Sequence, residues 1–165
     1  MYMPYVISLL DSIKVLHGAG IEWEYLDISG DSYVDRAKNS LVDKFLKSDC
    51  THLFIIDSDL GWDVEGFAKV IKASHAGLEV VGGAFPNKNN WKTFGVVPLS
   101  DKDGNFLGLE QNGFRLIEVM MMPGGFVLYS REAFDRVKLS ISTYIDTGAK
   151  SEEDKKIIYY EFFNV

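Results

Sequence analysis

The sequence predicts an α/β fold, a mainly parallel sheet flanked by helices with an antiparallel hairpin insertion, in a single domain spanning residues 1–165. Three observations carry that expectation. Helical and extended hydrophobic patterns alternate along the first half of the chain, as they do where helices cross over between parallel strands. Leu53 to Ile56 is a continuous apolar run, the pattern of a strand covered by helices on both faces. Beyond Phe94, Asp103-Gly104 and Asn112-Gly113 divide the chain into short extended stretches, and both dipeptides favour the positive φ values of tight hairpin turns.

Each element follows from local pattern. Tyr5 to His17 places Val6, Leu9, Leu10, Ile13 and Leu16 at helical spacing and stops at Gly18-Ala19-Gly20. Ile21 to Ile28 alternates Ile21, Trp23 and Tyr25 against Glu22 and Glu24, a half-covered strand. Ser32 and Asp35 form a capping-box-like pair for a helix to about Lys47, with Val34, Ala37, Leu41 and Phe45 inward. The apolar strand follows, then a helix capped by Asp63 with Phe67, Val70 and Ile71 on one face. Glu79 to Gly83 reads as a further strand. Phe94–Leu99, Asn105–Leu109 and Phe114–Met120 form a meander, Gly125–Tyr129 a short strand, and Ser130 caps a helix carrying Ala133, Phe134 and Val137. Lys150 to Lys156 is a charged, solvated run, and Ile157 to Phe163 a final aromatic strand.

The apolar run ends abruptly in two acids, Asp57 and Asp59. Residues i and i+2 of an extended segment project to one side, so both carboxylates converge just past the strand, where open α/β sheets bind ligands. Carboxylates that close repel unless a cation lies between them. Magnesium and manganese suit the position, being held by one or two carboxylates with substrate phosphate oxygens completing the shell. The alternative reading of either acid is a helix cap.

Composition narrows the function classes. The net charge of −7 and the scattered lysines leave no basic stripe for a nucleic-acid backbone. One cysteine, Cys50, excludes an internal disulfide framework, and the three histidines are too dispersed for zinc-ligand spacing. No apolar stretch reaches the ~20 residues needed to span a bilayer, and the N-terminus lacks the pattern of a signal peptide, so a cytoplasmic location is expected. Self-association is left open.

Four segments in order carry a family resemblance: Asp35 to Asn39 (DRAKN), Thr51 to Trp62 (THLFIIDSDLGW), Val80 to Lys88 (VVGGAFPNK) and Pro123 to Arg131 (PGGFVLYSR). Together they resemble GT-A-type glycosyltransferases, especially small bacterial and viral members, over about Ser8 to Val137. The resemblance implies a GT-A/Rossmann-like fold and an enzyme that transfers a sugar from a nucleoside-diphosphate donor to an acceptor with the help of Mn2+ or Mg2+. It assigns Asp59 to the metal and Asp57 to the metal through water or to the donor's ribose. It implies further that Arg36 and Asn39 hold the donor, that Lys88 adds positive charge near the diphosphate, with Lys92 a weaker candidate, and that Gly124 and Gly125 let backbone approach the sugar. Arg36 and Asn39 also read as ordinary helix residues, and the glycines as a simple turn. Trp62 and Trp91 are candidate platforms for a sugar ring, or core residues.

Two departures from the family pattern accompany the match. Family members begin with a nucleotide-binding strand and loop ahead of the first helix, and carry an acidic catalytic base beyond the last strand. Here the expectation is a chain truncated at both ends, with no base assigned. Glu152, Glu153 and Asp154 precede the final strand and read as a solvated loop. Two other classes stand beside the enzyme: a non-catalytic nucleotide-sugar-binding module or inactive remnant of the fold, and a haloacid-dehalogenase-type phosphatase. The phosphatase pattern has Thr or Val two residues after its second Asp, where this chain has Gly61.

Overall fold

The computed structural model of the chain describes residues 2–111, 114–138, 140–141, 143–145, 158–160 and 163. By its internal contacts the chain divides into two compact units, Met1–Glu22 with Phe54–Tyr129, and Trp23–Leu53 with Ser130–Val165.

Helix α1 (Met3–Gly18) opens the first unit, with a proline in its first turn where the missing N–H is harmless. Its inward face is not the aliphatic stripe that periodicity suggests. Tyr5, Ser8 and Ser12 are buried, while Leu10 is 55% exposed. The cause is Trp62: Ser8 Oγ accepts from the Trp62 N–H at 2.9 Å and donates to its carbonyl at 2.6 Å, and the indole N–H donates to Ser12 Oγ at 2.8 Å. Polar side chains with a satisfied partner can occupy a buried face that aliphatic ones would otherwise fill.

Strand β1 (His52–Ile56) leads into helix α3 (Val64–His75) and strand β2 (Val80–Gly82). The N-cap is the expected one, Asp63, whose carboxylate accepts from the Gly66 N–H at 2.7 Å. Phe67, Val70 and Ala73 of this helix pack with Val81, Phe126 and Leu128 as the core of the unit. Phe54 stacks on Phe67 at 5.3 Å and meets the edge of Phe126 at 4.8 Å. Such pairs contribute about 0.5–1.5 kcal/mol beyond the area they bury.

The sheet corrects the expected fold class. Strand β9 (Phe126–Ser130) lies between β1 and β2, and Val80 to Gly82 pair with Tyr129 to Val127 antiparallel. At the other edge the Asp57 N–H donates to the Gly125 carbonyl and the Arg131 N–H to the Thr51 carbonyl, both at 2.9 Å, so β1 also runs against β9. The crossover through α3 does give β1 and β2 a common direction. A late segment of opposite direction occupies the space between them, and no mainly parallel, GT-A/Rossmann-like sheet forms among the described residues. The predicted strand Ile21–Ile28 is also missing from every ladder, and its aromatics Trp23 and Tyr25 are exposed. Alternation marks a sequence able to pair, but a strand needs a partner edge.

The antiparallel stretch forms separate short pairs and not the expected meander of consecutive strands: β3 (Pro86–Asn87) with β4 (Asn90–Phe94), β6 (Gly108–Gln111) with β7 (Phe114–Ile117), and β5 (Val97–Pro98) with β8 (Val119–Met121), so that β5 skips its sequence neighbour β6. Gly104 turns the chain at φ 84°, as its Asp-Gly signature predicts. Asn112 and Gly113 lie outside the described residues.

The second unit holds helix α2 (Val34–Leu46), helix α4 (Arg131–Val137), and the antiparallel pair β10 (Thr143–Ile145) and β11 (Ile158–Tyr160), of which only β11 was legible. Ser130 caps α4 through the Ala133 N–H, as expected. In α2 the inward residues are Asn39, Val42 and Phe45, whereas Val34 is 61% exposed. No side chain of Ser32 caps this helix; Asp31 instead accepts from the Tyr33 N–H. The charged run 150–156 lies outside the described residues.

Arg131 ties the end of α2 down. Its guanidinium donates to the carbonyls of Phe45, Leu46, Ser48 and Cys50 at 2.7–3.2 Å and lies 4.6 Å from the Phe45 ring centre. The carbonyls of Phe45 and Leu46 are among those a helix C-terminus leaves without intrahelical partners, those of Ser48 and Cys50 belong to the loop beyond it, and a cation there also complements the helix dipole. Arg131→Ala should therefore lower stability by roughly 2–4 kcal/mol, read as a shift of the urea unfolding midpoint. Arg131→Lys should recover less than half of it, because one ammonium cannot reproduce the planar fork.

Candidate functional site

The acidic pair sits where β1 gives way to a turn. The Leu60 N–H donates to the Asp57 carbonyl at 3.1 Å and closes that turn, while the Asp57 N–H is held by Gly125 at the start of β9. Backbone bonds on both sides thus set the direction in which the Asp57 side chain leaves the sheet.

Gly125 has a specific reason to be glycine. A Cβ built on it would lie 2.5 Å from Asp57 Oδ2 and 3.1 Å from Phe85 Cζ. The volume that a side chain would fill is taken by the carboxylate. Within the chain, the close approach to the Gly125 backbone is that of Asp57. Gly124, its half-buried neighbour, belongs to the same turn.

Asp59 is more open, its side chain 53% exposed, and it forms an ion pair with Lys88. Lys88 lies at the tip of the β3–β4 hairpin, between Asn87 and the Asn90 that it pairs with. That tip is braced from within: Asn87 Nδ2 donates to Thr93 Oγ1, and Thr93 Oγ1 to the Asn90 carbonyl, each at 3.0 Å. The hydrogen bond and charge of Asp59 hold the Lys88 ammonium above the usual lysine range, and the charges of Asp57 and Tyr2 push the same way. One cationic group is therefore within the field of both carboxylates. Lys92 donates its backbone N–H to Asn90 Oδ1 in the same hairpin.

Asp57, Asp59, Lys88, Gly124 and Gly125 all belong to the first unit, whereas Arg36 and Asn39 belong to the second. Arg36 makes a two-pronged ion pair with Asp31 at 2.7 and 2.8 Å and covers the Tyr33 ring at 5.2 Å. The Arg36 guanidinium holds the Asp31 carboxyl below the usual carboxylate range. Asn39 is 3% exposed, and its amide zips onto the backbone of Phe163, donating to the carbonyl at 3.0 Å and accepting from the N–H at 2.9 Å. Both residues have structural employment that a helix periodicity cannot reveal.

Trp62 takes the core reading. Its backbone and indole are bound by Ser8 and Ser12, the Tyr5 ring meets it edge-on at 5.3 Å, and Phe126 packs at 5.7 Å. The Trp91 side chain and the acids Glu152, Glu153 and Asp154 lie outside the described residues. Sequence reasoning missed Phe85, which closes one side of Gly125, and Asp31, three residues before α2, whose carboxylate accepts from the Tyr33 N–H two residues on, a local pattern that Asp favours.

Among the described residues no three His, Cys, Asp or Glu side chains come together as a metal cage. The Asp59 carboxylate, with the Lys88 ammonium on it, is a position that already accommodates positive charge. A separate apolar depression of about 320 Å³ is lined by Phe106, Leu107, Gly108, Leu116 and Ile117, none of them a predicted site residue.

No family model and no curated protein matches the sequence. Among solved structures the chain is similar to A197 from STIV, with 25% identity and a TM-score of 0.49, over 80% of this chain and 63% of that one. The chain thus spans a little under two thirds of that protein's length, and a likeness of this degree fixes neither fold nor function. No helix among the described residues is long and apolar enough to cross a membrane.

Two results are expected. Gly125→Ala should cost roughly 1–3 kcal/mol in urea unfolding, because the new methyl meets a carboxylate held in place by its backbone. In an Asp57→Ala background the same substitution should cost less, a coupling that a double-mutant cycle measures. Asn39→Leu should destabilise the chain by about 1–3 kcal/mol, since it leaves the N–H and carbonyl of Phe163 without their partner.

Proposed function

We propose that the chain binds a nucleoside-diphosphate sugar through a divalent cation held by Asp57 and Asp59, and transfers the sugar to an acceptor. The observation that carries this reading is the Asp59–Lys88 ion pair just past the end of a buried strand, two residues after an Asp57 whose main chain is anchored to Gly125. The residues fit magnesium or manganese better than zinc or calcium: two protein oxygens leave most positions to water and phosphate, as these small hard ions prefer, whereas calcium takes six to eight oxygens and zinc seeks nitrogen or sulfur. When bound, such an ion would act as a Lewis acid beside the departing diphosphate, where negative charge develops.

The chain's own residues do the positioning. Asp57, with its main chain tied to Gly125, would supply the fixed side of the cation position. Asp59 would supply the side that opens to ligand, and the Lys88 ammonium an additional positive charge for a phosphate oxygen. The ordered segments DRAKN, THLFIIDSDLGW, VVGGAFPNK and PGGFVLYSR support the same reading by their resemblance to glycosyltransferases with an Asp-x-Asp motif. A cytoplasmic setting goes with the single Cys50.

Calorimetric titration of nucleoside diphosphates into the full chain, with and without Mn2+, tests the proposal. Binding should require the metal, and Asp59→Ala should weaken it by at least about 100-fold, the loss of a charged ligand on a metal or phosphate site. Unchanged affinity in that variant removes the assignment. Binding without nucleotide release from a nucleotide-sugar would mark a non-catalytic module, and phosphate release from a phosphomonoester would point to a phosphatase.

A further inference from the structure

We propose that Lys88 is a built-in counter-ion, occupying Asp59 until a divalent cation displaces it and then turning to the diphosphate that arrives with the cation. The inference rests on the metal-dependent reading above and adds an exchange step to it.

The geometry points to exchange for three reasons. First, the ion pair is open to solvent, with side-chain exposures of 73% for Lys88 and 53% for Asp59. Exposed pairs of this kind are weak, and a doubly charged ion competes with them easily. Second, the ammonium occupies the Asp59 oxygen that a cation would need, with Asp57 two residues away in the chain. An ammonium and a divalent cation cannot share that position without repulsion. Third, the lysine's base is held by the hairpin, whereas its head is held by the Asp59 pair. The Asn87–Thr93 and Thr93–Asn90 hydrogen bonds brace the hairpin under it, whereas the four-carbon stem is flexible. Once displaced, the ammonium stays tethered beside the cation, and the nearest incoming anion is the diphosphate.

The consequence is a reversal of sign. Lys88 opposes the cation alone and assists the cation with its nucleotide, so the two bind cooperatively. A lysine that only contacted phosphate would leave the affinity for the metal alone untouched, and one with a purely structural role would move both affinities in the same direction or neither.

Mn2+ binding to the full chain is measured first without nucleotide, by the loss of the free-ion paramagnetic resonance signal, and then UDP and GDP are each titrated at saturating Mn2+. Lys88→Ala should bind Mn2+ roughly three- to tenfold more tightly than the wild type and the nucleotide roughly tenfold or more weakly. Lys88→Arg, which keeps the charge, should stay close to wild type in the first measurement. If the wild type binds Mn2+ through Asp59 but Lys88→Ala leaves the metal affinity unchanged or weaker, the counter-ion role is overturned and the metal reading stands. Tighter metal binding with unaltered nucleotide affinity overturns the second half of the exchange. If the wild type binds no Mn2+, or Asp59→Ala binds it equally well, the metal reading fails and takes the exchange with it.

Discussion

One contact sets the geometry of the candidate site: the backbone hydrogen bond from Asp57 to Gly125, made across the end of the sheet at a glycine without a Cβ. It binds the end of β1 to the start of β9, and β9 is the strand on which both of its neighbours depend. A larger residue at 125 would push the carboxylate aside even if the sheet survived. The same contact thus holds an edge of the sheet together and aims an acidic side chain, so substitutions there affect packing and chemistry together. Lys88 reaches Asp59 from a separate hairpin, whereas Asp57 is anchored in the sheet.

Local structure was widely legible in the residues. The cap at Asp63, the cap at Ser130, the helix ending at Gly18, the buried run before Asp57 and the turn at Gly104 follow from chemistry confined to a few neighbouring positions. Direction of pairing was not. Nothing within Phe126 to Ser130 says that this strand will enter between β1 and β2, since its apolar pattern would suit a parallel neighbour equally well. The faces of α1 and α2 were misjudged for a related reason. Ser8, Ser12 and Asn39 are buried because distant groups, Trp62 in one case and Phe163 in the other, satisfy them. Hydrophobic periodicity has no way of counting a polar residue whose partner lies 50 or 124 positions away.

The candidate site was legible to the extent that it is local. Asp57 and Asp59 lie just past β1, where the end of the apolar run places them. Lys88 was expected to add positive charge near a diphosphate, and its partner in the structure is Asp59. Arg36 and Asn39 show the opposite case. Each resembles a donor-binding residue by its place in an ordered motif, and each has its polar groups engaged within the second unit, by Asp31 and by the Phe163 backbone.

The Asn39 amide acts as a short piece of strand, offering the main chain of Phe163 the same donor and acceptor that a neighbouring ladder would. Its reach along the chain, 124 positions, has a kinetic consequence. During synthesis Asn39 of α2 emerges 124 positions ahead of Phe163, so one of the helix's buried polar groups must wait for the chain between them to leave the ribosome. Until then that amide must be hydrated or held by a temporary partner, and Phe45 of the same face lacks its Phe134 neighbour. Loop closure over so long a separation is slow compared with helix formation. The second unit should accordingly be the last to consolidate, and the stage most open to capture by a chaperone.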